Sequence, residues 1–67
     1  MTIVDARGLS CPQPVLMAKQ ALDHGGAPIK VLVDDKTPLQ NVTRFASNSG
    51  HQVSFQEKDG EFEITIQ

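Results

Sequence analysis

The stretch Asp5-Ala6-Arg7-Gly8-Leu9-Ser10-Cys11-Pro12-Gln13-Pro14 decides how the rest of this 67-residue chain is read. The short apolar run Ile3-Val4 before it has the character of a strand that stops at Ala6. Gly8 then permits a sharp turn that a residue with a Cβ would resist. After the turn come the chain's only cysteine, two prolines flanking Gln13, and the helical pattern of Val15 to Leu22. Proline is tolerated in a first helical turn because the backbone N–H groups there have no intrahelical acceptor. A helix that begins at Pro12 puts Cys11 at the N-cap. Alternatively, the steric restriction Pro14 places on Gln13 delays the start by two residues. On either reading the thiol lies within about one turn of a helix N-terminus.

That position has a chemical consequence. The N-terminal end of a helix favours an anion by roughly 0.3–1 kcal/mol, rising to about 2 kcal/mol when partly buried. The thiolate is the reactive form of cysteine. Pro12 and Pro14 lack an N–H, which leaves the Gln13 N–H as the expected donor to the sulfur. Arg7, four residues upstream, is a candidate for holding an anionic sulfur further, and pairing with Asp5 or Asp34 is its competing role. The plainer reading of Cys11 is a small buried hydrophobe, the usual state of a free cysteine. The glycine turn, the helix start and the nearby arginine weigh on the other side.

The run Asp5-Ala6-Arg7-Gly8-Leu9, followed by Cys11-Pro12-Gln13-Pro14, resembles the Cys-Pro-x-Pro motif of the TusA/SirA-like sulfur carriers. Val15-Leu16, Ala18-Lys19 and Ala21-Leu22 continue the likeness. Asp34-Asp35, Asn41-Val42, Phe45-Ala46 and Gly50-His51 fall where such proteins place similar residues. The similarity spans essentially the whole chain, and its nearest flavour is the N-terminal domain of YedF-like proteins, which have been linked to selenium metabolism. At Arg7 and Ser10 the chain departs from the sulfur-relay carrier TusA. The resemblance implies a mixed four-stranded sheet in the order 1-2-4-3. It also implies a carrier that takes sulfur from a cysteine desulfurase and passes it toward tRNA thiolation, molybdenum cofactor assembly or another sulfur route.

Length and composition set the bounds. Residues 1–67 are expected to form one domain with one small core, since chains of this size bury only about 60% of their unfolded surface. One cysteine supplies no disulfide staple and suits a reducing compartment. Met1 stands directly before the first strand, with no basic or apolar leader region and no run near eighteen apolar residues; a cytoplasmic protein without membrane contact is expected. Net charge is −2 with no basic cluster, and Phe45, Phe55 and Phe62 are the only aromatics. Tight nucleic-acid binding needs several Lys and Arg on phosphates and is not expected here.

The remaining elements follow from periodicity. Val15, Ala18 and Leu22, with Ala21 beside them, give a first helix from about Pro12 to His24, closed by Gly25-Gly26. Ile29 to Val33 is a strand with Ile29, Val31 and Val33 on one face. Thr37-Pro38 reads as an N-cap followed by proline, opening a helix whose apolar face is Leu39, Val42, Phe45 and Ala46. It stops around Asn48 to Gly50. Val53 and Phe55, then Phe62, Ile64 and Ile66, alternate with polar residues on either side of a Lys58-Asp59-Gly60 turn, the pattern of a hairpin. The expected fold is α+β. It is a two-layer α/β sandwich, β-α-β-α-β-β, with a four-stranded mixed sheet and both helices on one face.

In such a sheet, ligands gather beyond the carboxyl ends of the parallel strands. That edge carries Arg7, Gly8 and Cys11 after the first strand, and Asp34 to Thr37 after the second. The hairpin tip at Asp59-Gly60 joins them if the third strand is parallel. His24 ends a helix nearly 20 Å long at ~1.5 Å per residue, and His51 opens the third strand at the opposite edge, so no Cys-His dyad is expected. One cysteine and two distant histidines do not make a zinc set. Adjacent acids such as Asp34 and Asp35 more often cap a helix or stay solvated. The expected site is Cys11 as the reacting group, with Arg7, Gly8, Pro12, Gln13 and Pro14 shaping it. No metal or cofactor is expected beyond a covalent persulfide on Cys11 as intermediate. The expected partners are a sulfur donor protein such as a cysteine desulfurase and a downstream acceptor protein. The rival class is a non-catalytic interaction or regulatory module in which Cys11 is structural.

Overall fold

A computed structural model describes residues 1–67. The six elements are β1 (Thr2–Asp5), α1 (Gln13–His24), β2 (Ile29–Val33), α2 (Lys36–Asn48), β3 (Val53–Lys58) and β4 (Glu61–Ile66). The strands form one sheet in the order β1-β2-β4-β3. β1 pairs parallel with β2, while β4 runs antiparallel to both β2 and β3. β1, β2 and β3 therefore share one direction, and their C-terminal ends share one edge of the sheet.

Alternation along the strands decides the layers. Ile29, Val31 and Val33 on β2 and Phe62, Ile64 and Ile66 on β4 are buried under the helices. Lys30 and Glu63, on the opposite face, form an ion pair at 3.4 Å. The helices contribute Ala18 from α1 and Leu39, Val42 and Ala46 from α2 to the same core. Pro14 is buried as well, four residues before Ala18 on the same face of α1. Full burial of a Val or Ile side chain stabilises by roughly 1.5–3 kcal/mol. The fully buried Ile29, Ile64, Ile66, Val31, Val33 and Val42 thus carry the largest apolar contribution. Expected architecture and observed architecture agree.

Two local expectations are corrected. α1 begins at Gln13, with Pro12 at the N-cap (φ −94°, ψ 12°), so Cys11 precedes the cap instead of occupying it. Pro12 still seeds the helix, because its carbonyl accepts the Leu16 N–H at 3.0 Å. α2 is capped by Asp35, not Thr37: Asp35 is extended (φ −151°, ψ 158°) and its Oδ1 accepts the Lys36 N–H at 2.6 Å. Pro38 then sits inside the first turn, where its missing N–H removes no intrahelical bond. Phe55 lies on the helix side of the sheet, paired with Ile64, yet it is half exposed. β3 is an edge strand at the margin of the helical layer, and Phe55 meets the Phe62 ring edge-on, with centroids 6.0 Å apart.

The hairpin is as read. Lys58 pairs with Glu61, and the two residues between them, Asp59 (φ 56°) and Gly60 (φ 81°), both take positive φ, the geometry of a type I′ turn.

Candidate functional site

The parallel run of β1, β2 and β3 brings three connections to one edge: the loop from Ala6 to Pro12, the Asp34-Asp35 turn, and the hairpin tip. Ala6 is fully buried and its N–H continues the ladder to the Leu32 carbonyl at 2.9 Å, so the loop leaves the sheet at a fixed point. Gly8 then turns the chain with φ +78°, in the left-handed region. Its N–H donates to Asp34 Oδ2 at 2.8 Å, tying the β1–α1 loop to the end of β2. Asp34 and Asp35, expected as cap or solvated acids, thus have separate tasks: one pins Gly8 and the other caps α2.

Cys11 follows that turn as an exposed free thiol, outside the buried core. A core packing role for the cysteine is therefore not what the fold gives it. The thiol opens on a cleft of about 420 Å³ lined by Gly8 to Cys11 on one side and Asp34, Asp35, Thr37 and Pro38 on the other. The expected donor to the sulfur is elsewhere engaged: Gln13 N–H bonds the Ser10 carbonyl at 3.0 Å. The hydrogen bond that Sγ accepts comes from α2, where the side-chain amide of Asn41 donates to it. Asn41 is half buried, on the turn between Pro38 and Phe45.

Arg7 points to other partners. Its Nε and Nη2 grip the two oxygens of Asp5, each at 2.9 Å, and Nη1 reaches Glu61 Oε1 at 3.2 Å. Its backbone N–H also meets Asp5 Oδ1 at 3.2 Å. These bonds hold the Asp5 carboxyl down at about 2, the side-chain hydrogen bonds from Arg7 being the main cause. The same pairing, first with Asp5 and then with Glu61, raises Arg7 above its ordinary value. The guanidinium lines a separate small depression with Lys58, Asp59 and Glu61. Arg7 thus braces the loop against β4 from below, while Gly8 lines the cleft itself.

Of the residues singled out from sequence, Cys11 and Gly8 face the cleft, and Pro12, Gln13 and Pro14 form the start of α1 behind it. Asn41 was not singled out as a site residue, although it stood among the residues of the family likeness. Its register was the available signal: it lies three residues after Pro38 and four before Phe45, both inward-facing, which places it at the border of the apolar stripe. The histidines stay apart from the thiol. His24 closes α1, and His51 Nδ1 lies 3.1 Å from the Gln67 carbonyl at the opposite sheet edge. No helix is long and apolar enough to cross a membrane.

Comparison with known proteins agrees with this geometry. The family model described as sulfurtransferase TusA matches residues 2–67. A protein of Methanocaldococcus jannaschii, named provisionally as a sulfur carrier, is 39% identical over 98% of this chain and 92% of its own length. The sulfur carrier protein TusA of Pseudomonas putida is 34% identical over 85% of this chain and 74% of its own length. Among solved structures, the SirA-like protein of Desulfitobacterium hafniense superposes with a TM-score of 0.93 at 41% identity, covering 98% of this chain and 95% of that one. With residues 2–67 matched by the family model and the fold superposed at this identity, the chain belongs to the TusA/SirA-like family of sulfurtransferases.

Proposed function

We propose that this protein is a sulfur carrier in which Cys11 is the acceptor and holder of the sulfur. The Cys11 thiolate attacks the terminal sulfur of a persulfide, R–S–SH, on a donor protein such as a cysteine desulfurase. A new S–S bond forms as the donor's S–S bond breaks. The donor leaves as its thiolate, and Cys11 carries –S–SH with no net oxidation or reduction. Delivery reverses the polarity: an acceptor nucleophile takes the terminal sulfur and Sγ departs as thiolate. Such exchange needs an ionisable, accessible sulfur and close approach of two proteins.

The observation that carries this reading is the exposed, unpaired thiol at the mouth of an open cleft, on the loop edge of the sheet. A shallow site suits a protein that must present its cargo to larger partners. The relatives from Pseudomonas putida and Allochromatium vinosum are named sulfur carrier protein TusA, which supports the same role here. A lone thiol of this kind persists in a reducing cytoplasm. The downstream acceptor is a protein of tRNA thiolation, cofactor assembly or selenium and sulfur metabolism.

Intact-mass spectrometry after incubation with a cysteine desulfurase and free cysteine tests the proposal. Gain of one sulfur atom on the native protein, reversed by a thiol reductant and absent in Cys11→Ala, is the expected result. Loading that persists in Cys11→Ala, or no loading of native protein by any persulfide donor, overturns it.

A further inference from the structure

Resting on the carrier reading of Cys11, we propose that Asn41 is the residue that stabilises negative charge on Sγ, both when the thiolate attacks and when it departs. The surroundings of the sulfur leave this task to α2. Two carboxylates, Asp34 and Asp35, line the cleft, and both disfavour an anion there. Arg7, the nearest cation in sequence, is turned to Asp5 and Glu61. At the start of α1, Pro12 and Pro14 have no N–H, and the Gln13 N–H is held by the Ser10 carbonyl. Gly8 N–H is held by Asp34. The side-chain amide of Asn41 is the donor that meets the sulfur, across a sequence separation of 30 residues.

An amide is suited to this position. It donates to a thiolate without adding a charge or competing for the proton that the sulfur loses. Hydrogen bonds to a charged partner are stronger than neutral ones, so the anion gains more from Asn41 than the neutral thiol does. During loading the N–H faces the attacking thiolate. During delivery Sγ is the leaving group, and the same N–H receives the charge that develops on it. α2 is fixed by its Asp35 cap and by Leu39 and Val42 in the core, so the amide is held in place before reaction.

Alkylation of the unloaded protein by iodoacetamide, a neutral reagent, tests the role without any sulfur donor. Asn41→Leu keeps the size and removes the donor, while Asn41→Asp keeps the shape and replaces the donor with a further carboxylate. Loss of one such bond changes thiolate stability roughly tenfold. A less stabilised thiolate is scarcer but intrinsically more nucleophilic, with a Brønsted coefficient of about 0.4–0.5. The rate–pH profile of each variant should therefore cross that of the native protein. The variant is about threefold slower where the thiol is mostly protonated and about threefold faster where it is fully ionised. Should Asn41→Leu fail to fold, the near-isosteric Asn41→Asp decides.

Superimposable profiles in a folded variant overturn the proposal. So does a uniform change at every pH, which altered access to the thiol would produce. Desulfurase-dependent loading of the native protein is measured alongside. Native loading with uncrossed profiles removes Asn41 from the site and leaves the carrier reading intact. Crossed profiles with no native loading keep the donor role and remove the carrier reading.

Discussion

The two helices start at the same edge of the sheet, both with proline in the first turn, and they solve the problem of their free N–H groups in opposite ways. α2 is closed by its own side chain, the Asp35 carboxylate on the Lys36 N–H. α1 has no side-chain cap at all: Pro12 occupies the cap position and Pro14 follows within the first turn. Prolines dispose of the orphan donors by deleting them. The difference separates stability from chemistry. A carboxylate cap on α1 would place a negative charge beside Cys11, whereas the proline start leaves the sulfur free of a fixed anion in its own turn. What Cys11 receives instead comes from the capped helix, through Asn41.

The sharpest way to break this arrangement is at the turn that delivers Cys11 to its place. Gly8 has φ +78°, and a Cβ added there would meet nothing within 4 Å. The cost of Gly8→Ala is therefore conformational alone, about 1–2 kcal/mol. Thermal denaturation should show a fall of roughly 4–8 °C per kcal/mol for a domain of this size. An unchanged melting temperature would mean that the loop can adopt another path at no cost. Next in size, Asp35→Ala removes the only side-chain cap and should destabilise by ~1 kcal/mol, with faster amide exchange in the first turn of α2. Cys11→Ala supplies the contrast. An exposed thiol that caps nothing should change stability by no more than about 0.5 kcal/mol. If Cys11→Ala were as costly as Asp35→Ala, the thiol would have a structural role that its exposure hides.

Much of this was legible in the residues. Alternation in β3 and β4, joined by Asp59-Gly60, dictated the hairpin, and the apolar spacing of Leu39, Val42 and Ala46 dictated the buried stripe of α2. The sheet order came from the family likeness, because the strand pattern alone does not say which neighbour β4 chooses. Capping was less legible. Both Thr37 and Asp35 are good N-cap residues, and Pro38 fits several positions of a first turn, so the local code admits two starts. The folded chain selects Asp35 because β2 ends at Val33 and the Asp34 carboxylate is drawn to Gly8 N–H, which leaves the next residue to cap. Asn41 was hidden for a different reason. Its contact with Cys11 joins two elements at long range, and helix periodicity reports which face a residue occupies without reporting what stands opposite.

The smallest effect concerns the brace beneath the loop. Asp5 is held at about 2 against its ordinary 3.8 by Arg7. A carboxyl depressed on folding contributes stability above its unfolded value, and that contribution is lost as pH falls through the folded value. The brace should thus be intact at neutral pH, weaken below about 4 and be gone near 2. Asp5 and Arg7 are 55% and 44% exposed, so salt screens the pair and the stability change on acidification should be slight at high ionic strength. Carboxyl carbon NMR reads the group directly. Arg7→Gln should return the Asp5 midpoint toward 3.8, and Glu61→Gln should shift it much less, because Glu61 touches Arg7 and not Asp5. An Asp5 midpoint near 3.8 in the native protein would dissolve the brace and leave Gly8–Asp34 as the tie that positions the cysteine loop.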